Sequence, residues 1–270
     1  MTEEIHFRQC LPEDVEQAIP LIIASGPTSF DYVFTNEKRK AVDFLKHAFV
    51  REGGEFSFDN HHAILVNQNI VGIGAAFSGA KAKTFMVKDF LNILRFYKLS
   101  ALPVMIRGLR TEQIIKLPRK NEVCLGHLAV DEKERSKGYG QKIILFLMKK
   151  SDKKESDYFV LDVSEENPQA QKLYERIGFK VHRHILSNCK SSYGYVANHF
   201  RMSFKETIIK RSHQWTLRQE LGRRSYNDEA RGFGVFPKLD YQMNNMEQKD
   251  LSQLTAEELF TKTTKKRIDL

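Results

Sequence analysis

Leu128-Ala129-Val130-Asp131-Glu132-Lys133-Glu134-Arg135-Ser136-Lys137-Gly138-Tyr139-Gly140-Gln141 is the stretch that decides how this chain is read. A β-rich run, Val123–Val130, passes into a polar loop with an arginine and two glycines. A helical pattern starts directly behind it over Gly138–Lys150, with Ile143/Leu147 and Ile144/Met148 at i,i+4 spacing. Gly138 and Gly140 let the backbone turn tightly and come close to a ligand. The N–H groups of a helix's first turn and the helix dipole make an anion site. Arg135, Lys137 and Lys142 surround it with positive charge. The physical reading is a diphosphate cradle. It is neither of two common phosphate loops: G-x-G-x-x-G would need glycine where Ile143 stands, and G-x-x-x-x-G-K-[ST] is absent. Two glycines at a helix start are, alone, more often simple turn chemistry.

Working outward, Ile5–Arg8 alternates as a short strand, and Leu11-Pro12-Glu13-Asp14 opens a helix that Gly26-Pro27-Thr28 breaks. A second helical stretch runs from Asn36 to Phe49. His62–Val66 and Ile70–Phe77 flank Asn67-Gln68-Asn69 as a hairpin. Beyond the loop, Tyr158–Val163 reads as a strand, Pro168–Ile177 as a helix, and Phe179–Ile185 and Tyr195–Phe204 as late strands. Strand and helix alternate through the central third, which predicts an α/β sheet with parallel pairing there. Phe85–Leu99 and Leu102–Ile115 break that rhythm and read as a helical pair inserted between the third and fourth strands. From about residue 206 the chain is polar and irregular; only Thr255-Ala256-Glu257-Glu258 offers a capping-box start, to a last helix ending near Lys266.

About thirty residues below the loop comes Asn167-Pro168-Gln169-Ala170-Gln171-Lys172-Leu173-Tyr174-Glu175-Arg176-Ile177-Gly178-Phe179. The pair R-x-x-G-x-G, then N-x-x-A-x-x-L-Y-x-x-x-G-F after a strand, resembles the GNAT superfamily of N-acetyltransferases. Leu128-Ala129-Val130 ahead of the loop matches that family's pattern too. The resemblance is strong over residues 120–185, extends in element order to 5–80 and 195–204, and is absent over 206–270. It implies a central twisted, mixed sheet flanked by helices in a domain spanning residues 1–205, with a C-terminal extension of unknown role.

The resemblance also implies roles. Arg135, Ser136, Lys137, Gly138, Tyr139, Gly140 and Gln141 would hold the pyrophosphate of acetyl-CoA as co-substrate, chiefly through backbone N–H groups. Leu128 and Val130 would pair their backbone with the pantetheine arm, and the Leu128 N–H would face the thioester carbonyl. Asn167 would contact the pantetheine. Tyr174 would be the general acid toward the departing thiolate, although an aromatic on an amphipathic helix ordinarily packs in the core. The implied reaction is direct attack of a primary amine, of a small molecule or peptide, in a ternary complex. The base for that amine is unassigned. On a regular strand Glu122, Cys124, Gly126 and Leu128 share one face, so His127 or Glu122 would serve only if a bulge re-aims it. Cys124, where some relatives carry glutamate, reads as inert packing. His61-His62 and His182/His184 have no third ligand at useful spacing, so no metal is expected.

The 270 residues carry a net charge of +9 with 41% hydrophobic and 29% charged residues, a globular composition that excludes disordered, collagen-like and disulfide-stapled classes. Cys10, Cys124 and Cys189 lie far apart. No basic-then-apolar leader or twenty-residue apolar run is present, so a soluble cytoplasmic protein is the default. Residues 81–120 hold ten basic and two acidic side chains, a net of +8. The insert therefore reads as a plain helical lid, as a lid over the acceptor with Phe90, Tyr97 or Met105 lining an apolar pocket, or as an attachment surface for an anionic membrane or nucleic acid. The alternative to an enzyme is a non-catalytic module that binds an anionic partner through this insert.

Overall fold

The computed structural model describes residues 4–151 and 158–205. The chain runs through β1 (Ile5–Gln9), α1 (Val15–Ala24), α2 (Pro27–Phe34), α3 (Ala41–Phe49), β2 (His61–Val66) and β3 (Asn69–Ser78). Next come α4 (Gly79–Tyr97), α5 (Ala101–Thr111), β4 (Glu122–Val130) and α6 (Tyr139–Lys150). It closes with β5 (Tyr158–Ser164), α7 (Pro168–Ile177), β6 (Lys180–Ile185) and β7 (His199–Lys205). Among the described residues the strands form one seven-stranded sheet in the order β1-β2-β3-β4-β5-β7-β6. Its neighbours are antiparallel except β4 and β5, which run parallel, with α6 in the crossover between them. This is the mixed α/β sheet expected from the sequence, with α4 and α5 as the helical insert between β3 and β4.

Two apolar layers cover the sheet. One joins α1 to α3 through Ile19, Ile22, Phe44, Leu45 and Phe49, all fully buried, with Ile73 of β3 beneath them. The other seats Ile143, Ile144 and Leu147 of α6 against Leu161, Phe179 and Met202. Helix α6 comes so close to β3 that a Cβ on Gly74 would stand 2.8 Å from both Leu128 Cδ2 and Leu147 Cδ1, so any side chain there would have to displace both leucines. The β2–β3 hairpin turns on Asn67 and Gln68, both at positive φ (49° and 67°), as a two-residue turn matched to strand twist requires.

Three elements differ from the sequence reading. Helix α3 begins at Ala41, not Asn36, because the Asn36 side chain accepts the N–H groups of Lys38 and Arg39 at 2.9 Å and holds that stretch as a turn. Helix α2 follows where only a break is expected: Pro27 supplies the first helical position. Strand β7 starts at His199 because Asn198 spends its side chain on the Ser187 N–H, 2.9 Å, and on Glu165, 2.8 Å. The expected helix after Thr255 lies outside the described residues. The insert is fastened to α2. Arg107 donates to Val33 O at 2.9 Å and Thr35 O at 3.0 Å, and the Tyr97 hydroxyl donates to Phe34 O. Among the described residues no helix is long and apolar enough to cross a membrane.

Candidate functional site

The loop ahead of α6 is built to end a strand and start a helix within a few residues. Asp131 accepts the Lys133 N–H at 2.9 Å and starts a short turn over Glu132–Glu134. Ser136 then takes φ 65° and Gly138 φ 84°, the left-handed region, before α6 begins at Tyr139. A Cβ on Gly138 would meet nothing within 4 Å, so its constraint is conformational, and the space above it is open to a ligand. Gly140 answers a different need: a Cβ there would stand 3.2 Å from Leu173 Cδ2, where α7 passes. Arg135, Ser136, Lys137 and Gly138 are exposed, and Tyr139 is buried beneath them. The Lys137 ammonium lies 2.9 Å from Glu134, so part of the expected positive charge is already neutralised within the loop.

Strand β4 carries the second feature. It pairs with β5 only from Glu122 to Cys124, opposite Tyr158 to Val160, and beyond that the two strands part. From Leu125 onward, the side of β4 turned away from β3 has no strand partner among the described residues. On its other side β4 bulges. Ile73 pairs with Ala129 and Ala75 with Gly126, so His127 and Leu128 together oppose the single residue Gly74. His127 sits at φ 51°.

The bulge reverses the inside–outside alternation of the strand. Leu128 and Val130 pack with the α6 layer and Ala129 with the α1–α3 layer. Leu128 does not share the face of Cys124 and Gly126, as regular alternation would have it, and His127 takes that side instead. Its ring stacks on Phe56 with centroids 5.3 Å apart.

The His127 ring ends a chain of hydrogen bonds. His61 Nδ1 is 2.7 Å from Ser57 O, a carbonyl that can only accept, so Nδ1 carries the proton. Burial drives the His61 pKa down to about 4 and that of His127 to about 3, so both rings are neutral near pH 7. His61 Nε2 is then a bare acceptor, and His127 Nδ1, 2.9 Å away, must donate to it. That leaves the lone pair of His127 Nε2 turned outward, 3.7 Å from Glu55 Oε1. Burial, then the neighbouring Asp89 and Glu112, raise the Glu55 carboxyl to about 8. The fold brings residues 55, 61 and 127, far apart in sequence, side by side.

This group opens into a cavity of about 440 Å³ between α2, the insert and β4. Its wall is mainly apolar, with Phe30, Phe34, Phe85, Phe90, Ile93 and Met105 among the lining side chains. Gly26 lines it too. Phe90 and Met105 stand where the lid reading placed them, but Tyr97 does not: it is buried in the α1–α3 layer. Asp89 and Glu112, the insert's only acids, both line this cavity. Asp89 Oδ2 accepts the Glu55 N–H at 3.0 Å, fixing the backbone that carries the Glu55 carboxyl. Burial raises Asp89 to about 7.

The remaining sequence-predicted residues fall at the cavity's far wall or outside it. Tyr174 is buried on α7 among Ile177 and Phe179 yet reaches the cavity wall, and burial pushes its phenol up to about 12. Asn167 caps α7, its side chain accepting the Ala170 N–H at 3.1 Å. Glu122 is taken out of contention as a base: its carboxylate accepts from Arg201 and from the Arg119 N–H, each at 2.9 Å. The Cys124 thiol is buried and its pKa is raised, which makes it inert. His62 points the other way, toward Phe146 of α6 at 5.7 Å between ring centroids. Among the described residues no group of three or more His, Cys, Asp or Glu side chains is placed to hold a metal ion.

Glu55, Asp89 and His61 were not singled out from the sequence for this role. The one available signal was compositional, two acids in a strongly basic segment. For the bulge it was the glycines inside paired strands, Gly72 and Gly74 in β3 and Gly126 in β4.

The geometry agrees with comparison to known proteins. Residues 47–179 match the acetyltransferase (GNAT) family model. No curated protein matches the chain significantly. The crystal structure of an acetyltransferase superposes with a TM-score of 0.51 at 18% identity, covering 74% of this chain and 98% of its own. That of an N-acetyltransferase from Staphylococcus aureus Mu50 gives 0.52 at 17% identity, covering 74% of this chain and 100% of its own. At such identities the likeness is one of fold. Together with the family match, the splayed β4–β5 pair and the glycine loop behind it, this identifies residues 47–179 as a domain of the acetyltransferase (GNAT) family.

Proposed function

We propose that the protein transfers an acetyl group from acetyl-CoA to a primary amine by direct attack. The observation that carries this reading is that the unpaired side of β4 runs from the cavity lined by Glu55 and His127 to the glycine loop that directly follows Val130. In this reading Arg135 to Gln141 hold the diphosphate of acetyl-CoA, mainly by backbone N–H groups at the α6 end. Leu128 and Val130 offer backbone groups to the pantetheine arm, as an added strand would be met. The Leu128 N–H stabilises the oxyanion; such donors are typically worth ~2.7–4 kcal/mol in the transition state. The cap that Asn167 supplies to α7 engages its side-chain oxygen, so any contact with the pantetheine falls to its amide nitrogen.

The amine arrives as an ammonium ion and must lose a proton. Glu55 is the proton acceptor in this account. Its raised pKa puts it in the range where a general base is most effective, and an ammonium ion beside it favours its charged form. The fixed tautomer of His127 gives the protonated carboxyl an acceptor for its hydrogen. Tyr174 stays protonated across the working range, since its pKa is above that of an ordinary phenol. It therefore donates a hydrogen bond to the departing sulfur, whose own pKa rises through the same desolvation. Glu55 takes the first proton and frees the amine to attack. As the N–C bond forms and the C–S bond breaks, the nitrogen gives its second proton to solvent, and the departing thiolate, held by the Tyr174 hydroxyl, takes up a proton from solvent.

The test is an acetyl-transfer assay over a panel of primary amines. Wild-type protein is expected to release coenzyme A with at least one acceptor. Tyr174→Phe is expected to lower turnover while leaving acetyl-CoA affinity nearly unchanged. Unchanged turnover would remove Tyr174 from the mechanism.

A further inference from the structure

Apart from Arg107, which holds α2, the basic side chains of residues 81–120 are exposed. Helix α4 turns Ala82, Phe85, Asn92 and Tyr97 inward. On its outer side Met86, Val87, Phe90, Leu91 and Leu94 are exposed, at i, i+1, i+4, i+5 and i+8 along one stripe. Leu99, at the turn into α5, is fully exposed, and Leu102, Ile106 and Leu109 follow at i, i+4 and i+7 along one side of α5. Elsewhere among the described residues the exposed large apolar side chains are scattered: Leu11, Val50, Val181, Leu186 and Tyr195. Single ones are ordinary, whereas a contiguous set marks an interaction surface.

Exposed cations frame this stripe: Lys81, Lys83, Lys88, Arg95, Lys98 and Arg110. Within the insert no acid offsets them, because Asp89 and Glu112 line the cavity; Glu52, from the loop after α3, shares a groove with Lys88 and Arg95 at one end of the stripe. The combination narrows the partner. A second copy of the chain would set two strongly cationic faces against each other. A nucleic acid would use the cations and leave the apolar stripe in water. An anionic bilayer uses both, the cations at the headgroups and the stripe at the boundary with the acyl chains.

We propose that the α4–α5 insert docks the protein on an anionic membrane surface, with its apolar stripe in the headgroup–acyl boundary and its lysines and arginines against the lipid headgroups. The attachment is peripheral, since no described helix can cross a bilayer. Met86, Phe90 and Leu109 belong both to the stripe and to the cavity wall, so docking brings the cavity to the membrane surface. The inference rests on the surface of the insert and stands apart from the acetyl-transfer reading.

The test is co-sedimentation of the full chain with vesicles of phosphatidylcholine alone or mixed with phosphatidylserine. Binding is expected to the mixed vesicles, weakening as salt rises. Two variants, Leu94→Asp/Leu99→Asp and Lys83→Glu/Arg95→Glu, are each expected to weaken it by ~tenfold or more at an unchanged unfolding midpoint, since all four positions are exposed. No binding to mixed vesicles at low salt would overturn the proposal, as would equal binding to neutral vesicles. Tighter binding to duplex DNA, insensitive to Leu94→Asp/Leu99→Asp, would assign the face to nucleic acid. A dimer in light scattering that this variant abolishes would assign it to a second copy. Either result overturns the membrane reading.

Discussion

At the scale of single residues, the decisive one is Glu55. It follows Gly53-Gly54 in an irregular loop, and its position depends on contacts from two other elements: Asp89 of α4 holds its N–H, and His127 of β4 faces its carboxyl. Because a base works only when ionised, activity limited by Glu55 rises with pH and levels off above about 8. Glu55→Gln is expected to lower kcat/KM by ~10²–10⁴-fold and to abolish that plateau, leaving a profile that keeps climbing as free amine accumulates. The check is kcat/KM from pH 6 to pH 9.5 for both proteins (an assay window of roughly the general-base range). An unchanged plateau in the variant would show that another group takes the proton. The sequence did not offer Glu55 because no local pattern ties a loop glutamate to a strand histidine some seventy residues away. That link exists only once β2, β3 and β4 are paired.

At the scale of elements, the glycine loop and the helix after it were legible because their requirements are local: left-handed φ at Gly138, close packing at Gly140, a capping Asn167 before Pro168. The β4 bulge was not. Val123 to Val130 alternates well enough as a regular strand, and what breaks the register is Gly74 on the neighbour, with Leu128 and Leu147 pressed over it. A bulge is the condition for re-aiming His127, and β4 carries one there. The point where β4 and β5 part is held by Arg201 of β7, which donates to Asp162 and to Lys116 O at 2.8 Å and to Glu122 at 2.9 Å. Arg201 is nearly buried, and so is the Asp162 carboxylate. Arg201→Met would leave the buried Asp162 carboxylate unpaired and Glu122 with the Arg119 N–H alone, and is expected to cost about 3–5 kcal/mol of stability. A urea unfolding curve measures this directly. A loss below about 1 kcal/mol would mean the network does not hold the strands at their parting point.

At the scale of the whole molecule, the net charge of +9 resolves into location. The outward face of the insert carries most of it, and a smaller share surrounds the loop at α6. The acids of the insert line the cavity, so the interior that would receive an ammonium ion is carboxylate-rich beneath a cationic exterior. Composition alone showed the excess but not this separation, which depends on which side of α4 each residue faces. The central claim is that the opening between β4 and β5 with the loop at α6 is an acetyl-CoA site. Titration calorimetry of acetyl-CoA into wild-type protein and Gly138→Glu tests it most directly, because that position is exposed, requires left-handed backbone and would place a carboxylate where the diphosphate is held. Micromolar affinity in the wild type, lost in a variant that still folds, is the expected result. Absence of binding to the wild type, or equal affinity in both proteins, would contradict the account.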